Sequence, residues 1–331
     1  TFRHRDVAPQ GSGRADATFA AAWTQGMRFD DASGELRAVG DVEASLTEGA
    51  TRLDRLAAWT VEATLEPGVG SPGPGLPGSE VAAVEPGPGL ADGPRRLRTL
   101  AAIGSLADSP DGEPASIELR RFAPGSGESG SDGAVLRQLL YLEGARIDVD
   151  NERGLLDVPG WGRLLVADRR EPASERPSGS SALSGGGVRG DALFEWQGSL
   201  HVDRGQGRMT MTDRVTMVHR RMGDDLVTTL EAPVLTARAT GGGVGERAEE
   251  AGRLAAVHAE SGVRVVSGEK EVTADVVDYD ADTGIVTAYS TTGGSVRVLE
   301  NGAVWTATAI RWDTIAGRIE TTSIGGGASP R

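Results

Sequence analysis

The chain has 331 residues, a formal charge of −14 and a pI near 4.8, and it contains no cysteine. This acidity argues against nucleic acid and against an anionic membrane surface as partners, because both require a basic stripe. The lack of cysteine excludes thiol catalysis, disulfide frameworks and zinc sites of the cysteine type. No run of about 18 apolar residues occurs, so the sequence predicts no transmembrane segment.

Residues 1–20 are polar without a clear pattern, and we expect them to be irregular. Farther on, apolar and polar residues alternate, which is typical of strands with one buried face. The predicted division is a first β module at 21–170, a linker at 171–191, a second β module at 192–322 and a tail at 323–331. Within the first module, the Gly/Pro-rich stretch 67–94 and the Gly/Ser-rich stretch 124–133 predict surface insertions.

One pattern recurs five times: two apolar residues at alternate positions, an Asp, three further residues, a Gly, and an apolar residue two positions later. The five copies run from Asp30 to Gly34, Asp150 to Gly154, Asp203 to Gly207, Asp280 to Gly284 and Asp313 to Gly317. We expect the Asp to accept hydrogen bonds from backbone N–H groups two or three residues on, and the Gly to take a positive φ. Each copy therefore predicts a β-hairpin with a turn of three to five residues.

Two longer repetitions support a repeat architecture. The copy that follows Trp23 matches the copy that follows Trp196 at a constant offset from the Asp onward, which favours two tandem modules. Residues 263–286 align without gaps on residues 296–319. A local repeat of about 33 residues, with each unit stacked on its neighbours, predicts an elongated sheet structure.

The last two copies resemble the OstA-like repeats of the lipopolysaccharide-transport proteins. The matching positions are Ala274, Asp275, Val277, Tyr279, Asp280 and Gly284, and, less fully, Ala307, Ile310, Trp312, Asp313 and Gly317. The resemblance covers residues 254–322, with Thr308 in place of the family's Asp. It implies an all-β fold of repetitive antiparallel hairpins that form a β-taco, or jellyroll, slab, as one slab or as two tandem modules. The insertions depart from the compact family pattern.

The same resemblance implies a non-enzymatic periplasmic protein that binds or transports glycolipid of the lipopolysaccharide type in outer-membrane biogenesis. Acyl chains would lie in an apolar groove between the sheets, and other β-jellyroll subunits would dock by end-to-end strand pairing. Six side chains are candidates for the groove because strand alternation points them inward: Val277, Tyr279, Val286, Ile310, Trp312 and Ile319. Ordinary core packing is the alternative for all six.

Two other classes of function stay open on the sequence. One is a structural or adhesive extracellular β-repeat protein with a dry core, and the other is a carbohydrate-active β-helix enzyme, which would need paired carboxylates. The four histidines show no metal-ligand spacing, and we expect neither a metal nor a cofactor. Asp278, Asp280 and Asp282 begin like a calcium loop, but Thr283 and Tyr289 stand where the EF-hand pattern needs Gly and Glu.

Overall fold

The computed structural model describes residues 1–6, 17–67, 95–107, 112–123, 135–169, 190–221, 227–240, 253–280, 283–291 and 293–321. These residues form 22 strands, all paired antiparallel, and one short 3-10 turn at Ser105–Ala107. The predicted insertion at 124–133 and the predicted tail lie outside the described residues. So does most of the predicted insertion at 67–94 and of the predicted linker.

The first eleven strands are β1 (Phe2–Asp6), β2 (Ala17–Ala22), β3 (Gly26–Asp30), β4 (Glu35–Glu48), β5 (Arg52–Pro67), β6 (Arg95–Ile103), β7 (Ala115–Ala123), β8 (Val135–Gly144), β9 (Arg146–Asp150), β10 (Leu155–Pro159) and β11 (Gly162–Asp168). The other eleven are β12 (Gly190–Trp196), β13 (Ser199–Asp203), β14 (Arg208–Arg221), β15 (Val227–Thr240), β16 (Arg253–Ser267), β17 (Lys270–Asp280), β18 (Ile285–Tyr289), β19 (Val296–Glu300), β20 (Ala303–Ala307), β21 (Ala309–Asp313) and β22 (Arg318–Thr321).

Strand pairing divides these elements into two ladders. Ladder A runs in the order β3, β4, β5, β6, β9, β10, β13, β14, β15, β16, β17, β18, β21, β22. Ladder B runs in the order β1, β2, β4, β5, β7, β8, β11, β12, β14, β15, β16, β17, β19, β20. The six strands that occur in both orders are long, and each contributes one half to each ladder.

The chain fills the two ladders in a regular order. It places two strand segments in ladder B and then crosses to place two in ladder A. This repeat unit occurs seven times within the described residues. Because β5 and β14 each pair with neighbours in both ladders, the ten strands β5 to β14 close into one ring. The crossings all lie on one side of the molecule, and we name the opposite side, where hairpins turn within a ladder, the mouth.

Backbone geometry produces several of the crossings. Three of the long strands bend at a bulge in which two consecutive residues with positive φ lie opposite a single residue of the next strand. The bulge residues are Gly40 and Asp41 in β4, Asp213 and Arg214 in β14, and Ser261 and Gly262 in β16. A bulge of this kind sharpens the local twist and redirects the strand, here from ladder A into ladder B.

The inward faces of both ladders meet in one hydrophobic core. Next to the crossings, the inward residue of ladder A is buried in strand after strand. Members of this row are Ala38, Val61, Ala102, Ile147, Val158, Leu200, Met211, Leu235, Ala259, Val277, Ala288 and Ile310. Ladder B contributes larger side chains as well, among them Phe194 and Trp196, whose Nε1 donates to the carbonyl of Gly160 at 3.0 Å.

The sequence predictions for the fold have mixed outcomes. The all-β antiparallel class is confirmed. Within the predicted 33-residue repeat, Val263 and Val296 are both buried, and they pair in register with Ala274 and Ala307 respectively. The prediction that residues 1–20 are irregular was wrong for the described part of that range, because β1 lies there and β2 begins at Ala17 to pair with β4. The division into two modules stays a prediction, and pairing of β10 with β13 and of β11 with β12 spans its boundary.

Candidate functional site

The five Asp-to-Gly turns all lie at the mouth edge of ladder A. In each of them the Asp carboxylate accepts a backbone hydrogen bond, from Ala32, Arg153, Gln206, Thr283 and Ala316 at 3.0, 2.9, 2.9, 2.8 and 2.8 Å respectively. Each Gly has a φ between 59 and 72 degrees. The predicted turn chemistry is therefore confirmed in all five copies. The corresponding connections of the second and fifth repeat units lie outside the described residues.

Consecutive turns also bond to each other. The carbonyl of Gly154 accepts from the backbone N–H of Arg204 at 2.9 Å, and the carbonyl of Gly284 accepts in the same way from Thr314 at 3.0 Å. The Thr314 hydroxyl donates to the Gly284 carbonyl as well, at 2.8 Å. The ladder thus continues through the turns to the mouth edge, and the apolar residues on either side of each turn hold fixed positions just inside the mouth.

The structure gathers the six predicted groove residues into two adjacent inward rows at the end of ladder A. Val277 and Ile310 lie in the row next to the crossings, and the mouth-side row contains Tyr279, Val286, Trp312 and Ile319. Five of the six are at most 8% exposed, and Ile319, on the last strand, is partly buried against the core. Their inward orientation is confirmed. Contact with lipid at these positions stays a prediction.

The equivalent mouth-side residues of the first three copies are only half-buried. They are Phe29, Leu36, Val149, Leu156, Val202 and Met209. Ladder B offers half-buried apolar side chains on its own inward face, namely Leu56, Ile117, Leu140 and Val166. We name this inward apolar surface, built by β3 to β14, the open cleft. The part formed by β15 to β22, where the same row is buried as far as Trp312 and partly buried at Ile319, is the closed end.

Packing at the closed end leaves almost no free volume. A cavity of about 10 Å³ lies among Val277, Tyr279 and Val286 of ladder A and Val265 and Leu230 of ladder B. That is about the smallest volume that holds one water molecule. At the mouth, the Lys270 ammonium of ladder B pairs with Glu300 at 2.7 Å and also donates to the carbonyl of Gly317 in ladder A. Lys270 therefore links the two ladders across the mouth.

Trp312 is the exception in this packing. Its side chain is 1% exposed, and its Nε1 is the one buried side-chain nitrogen or oxygen without a hydrogen-bond partner in the described part of the chain. A buried donor without an acceptor costs about 1–3 kcal/mol. Trp196, equally buried, has such an acceptor in Gly160.

A charged cluster lies on the inward face of ladder B at the mouth of the open cleft. Arg52 and Asp54 follow the same alternation as the inward Leu56, and Arg121 is the register partner of Arg52. Asp54 Oδ2 accepts from Arg52 Nε at 2.7 Å, and Asp54 Oδ1 accepts from Arg121 Nη1 at 2.5 Å. Burial lowers the pKa of Arg52, but its hydrogen bond to Asp54 and the charge of that carboxylate outweigh burial and raise the pKa.

Sequence analysis did not single out this cluster, although the signal was present. In the run from Arg52 to Ala58, charged residues fall on the same alternation phase as Leu56 and Ala58, which places them on the inward face. A charge in phase with an apolar face departs from ordinary strand patterning, so it indicates a polar position on the inward face.

The described residues give little support for a small-molecule pocket on the outer faces or for a metal site. Shallow concavities of 570 to 680 Å³ lie on the outer faces of the ladders, and ion pairs such as Arg146 with Asp148 at 2.8 Å occupy one of them. Among the described residues, no three His, Asp or Glu side chains converge as a metal site. The Asp280 carboxylate accepts from the backbone of Thr283, as hairpin capping predicts, while Asp282 lies outside the described residues.

Comparisons with known proteins do not identify a family. No family model, no curated protein and no solved structure matches this chain. Among the described residues there is also no helix that has the length and apolar character to cross a membrane. The functional conclusion therefore depends on the geometry of the cleft.

Proposed function

We propose that this protein binds a glycolipid of the lipopolysaccharide type, with its acyl chains in the open cleft between the two ladders. The role is that of a non-enzymatic carrier or conduit in an extracytoplasmic compartment such as the periplasm. The inward face of the cleft supplies apolar contacts along several strands, and the charged mouth is suited to a polar headgroup.

One observation carries this proposal: the mouth-side apolar row is half-buried through the first three motif copies, whereas Tyr279, Val286 and Trp312 of the last two copies are buried. Removing apolar surface from water lowers the free energy by about 25 cal/mol for each Å², so apolar surface in a folded core is normally buried. A continuous inward row that stays half-exposed, next to equivalent positions that are closed, is the surface on which an acyl chain would gain this free energy.

The ends of the ladders support docking to similar subunits. Within the described residues, β1 and β3 at one end, and β20 and β22 at the other, each pair with a single strand. Unpaired edges of this kind accept a further strand by backbone hydrogen bonding. End-to-end pairing with other β-jellyroll subunits would join their clefts into a longer path for the lipid.

Photo-crosslinking tests the proposal directly. A benzophenone amino acid replaces Leu156, whose side chain faces the cleft, and, in a matched control, its neighbour Leu155, whose side chain faces outward. We expect glycolipid adducts by mass spectrometry from position 156 and none from position 155, when each protein is incubated with envelope lipids. Equal yields, or no adduct from either position, would contradict the proposal.

The dry-core structural protein is the second candidate, and the closed end favours it. There, the cavity of about 10 Å³ leaves no room for an acyl chain. If this role applies to the whole molecule, the purified protein carries no lipid, and added lipid does not change its thermal unfolding. Lipid stabilisation that depends on ligand concentration would exclude this candidate, because only a ligand of the folded state raises stability by mass action.

A further inference from the structure

The charged cluster at the mouth of the open cleft has more hydrogen-bonding capacity than its own members use. Arg121 contacts Asp54 and the carbonyl of Arg120 through Nη1 alone, at 2.5 and 3.0 Å. Its Nε and Nη2 make no hydrogen bond to the described chain. Arg52 gives Nε and Nη2 to Asp54, and its Nη1 lies 3.5 Å from Glu48, at the outer limit of a hydrogen bond. Three guanidinium nitrogens are thus unused or weakly used.

Gln138 adds a second group of the same kind. It is the register partner of Arg121 and lies on the inward side of β8, where Leu140 and Leu142 face the core. The residue as a whole is only 8% exposed, and its amide makes no hydrogen bond within the described part of the chain. Because Trp312 Nε1 is the one fully buried polar side-chain atom without a partner there, the Gln138 amide retains access to solvent and can bond a polar group from outside the chain.

These donors lie beside apolar surface. Asp54 pairs in register with Leu119, which pairs in turn with Leu140 of the open cleft. A molecule that occupies the cleft with an acyl chain would therefore bring its polar end to Arg52, Arg121 and Gln138. Planar guanidinium groups bind carboxylate and phosphate oxygens in bidentate fashion, which an ammonium or a neutral amide does not do.

We infer that Arg52, Arg121 and Gln138 form a headgroup site that selects amphiphiles with an anionic carboxylate or phosphate group. This inference depends on the proposed function, because the acyl chain has to lie in the open cleft. Asp54 holds the two arginines in place when no ligand is bound and competes with the headgroup for them. Asp54 is therefore a competitor of the ligand within the site, and its removal strengthens binding of the headgroup.

A binding series on the full chain tests the inference, with tryptophan fluorescence or calorimetry as the readout. The probes are a lysophosphatidic acid, a fatty acid and a monoacylglycerol of equal chain length, together with inorganic phosphate. We expect the two anionic amphiphiles to bind about tenfold more tightly than the neutral one, the effect of one charge-assisted hydrogen bond of ordinary strength. Phosphate alone should bind far more weakly than the lysophosphatidic acid.

The variants assign the preference to named residues. Arg121→Gln should weaken binding of the anionic amphiphiles more than binding of the monoacylglycerol, so that the preference for the anionic ones is lost. Arg120→Gln is the matched control, because Arg120 is adjacent in sequence but pairs with Glu118 at 2.5 Å on the outer face, so it should keep the preference. Asp54→Asn should tighten binding of anionic amphiphiles several-fold. A purely structural ion pair would not produce this gain, so the variant is informative even if Arg121→Gln does not fold.

Each outcome has a definite meaning. Equal affinity for neutral and anionic amphiphiles, or weaker anionic binding by Asp54→Asn, overturns the headgroup site but leaves lipid binding in the cleft intact. Phosphate that binds as tightly as the lysophosphatidic acid also overturns it, because the site would then serve a free anion. No binding of any amphiphile contradicts the proposed function itself.

Discussion

The open cleft and the closed end are built from the same motif, yet they differ in what the motif encloses. Val149 and Leu156 flank the second Asp-to-Gly turn and are half-buried, whereas Tyr279 and Val286 flank the fourth and are 8% and 2% exposed. The turn geometry is the same in both, with Gly φ values of 70 and 68 degrees. The difference therefore comes from the side chains and from what faces them, not from the backbone repeat.

Two features close the closed end. Tyr279 and Trp312 place large aromatic rings where the second and third copies have Val149 and Val202, and both rings are buried against the core. Phe29, the aromatic residue of the first copy, is half-buried at the edge strand β3. Lys270 then links the ladders at the mouth. The same backbone hydrogen-bonding pattern can therefore enclose a packed core in one region and an accessible cleft in another. The pattern depends on backbone groups, whereas the packing of the interior depends on side-chain volume.

A pair of valine truncations gives the largest expected contrast between the two regions. Val286→Ala should lower the free energy of unfolding by about 2 kcal/mol, because it removes buried methyl groups and leaves a cavity. Val149→Ala, in the equivalent row of the open cleft, should cost about 1 kcal/mol or less, because its side chain is already half-exposed. Equilibrium unfolding in urea measures both. Equal losses would mean that the open cleft is packed as tightly as the closed end.

A pair of glycine substitutions gives a smaller contrast. Both Gly154→Ala and Gly284→Ala force a Cβ into the left-handed region, at a cost of about 1–2 kcal/mol each. At Gly284 the new Cβ would also lie 2.9 Å from Ile315 Cδ1, whereas at Gly154 the nearest atom is 3.8 Å away. Displacing Ile315 should add about 0.5–1 kcal/mol to the cost at Gly284. Urea midpoints that fall equally for both variants would show that the contact with Ile315 does not add to the cost of the substitution at Gly284.

Acid titration gives the smallest effect and concerns the closed end alone. Hydrogen bonds from the backbone N–H groups of Ala316 and Ile315 lower the pKa of Asp313 below its ordinary value. A lowered pKa in the folded state contributes stability above the ordinary value, and that contribution is lost as the pH falls through the folded pKa.

Asp313→Asn keeps a side-chain oxygen for both backbone hydrogen bonds but cannot titrate. Its thermal midpoint should therefore depend less steeply on pH than that of the wild-type protein between about pH 4 and the acid limit of folding. Parallel profiles for the two proteins would show that this carboxylate does not couple folding to pH.

Much of the fold could be predicted from the sequence because its signals are local. An Asp and a Gly four residues apart determine the turn by themselves, and alternation determines which side chains point inward, as Val277 and Ile310 show. The prediction found five hairpins of ladder A, because those five have the short turn. It did not find seven repeat units, because the other two hairpins have long connections in place of that turn.

The strands near the N-terminus illustrate the opposite case. The segment that contains Phe2–Asp6 has little pattern of its own, and it becomes a strand by adding to β2, which pairs with β4. Alternation by itself indicates that Arg52 faces inward, but it does not show that Arg121 and Gln138 lie beside it. The three residues come from three strands and meet only through their register in ladder B.

The sequence by itself determined the strand class, the turn chemistry and the inward face, because backbone conformational preference and side-chain alternation act within a few residues. Only the tertiary structure decided that the strands pass between two ladders, that one end packs closed and the other stays open, and that two arginines face an apolar cleft. These outcomes depend on which strands become neighbours and on the volumes of side chains that meet across the core, and residues far apart in the chain set both.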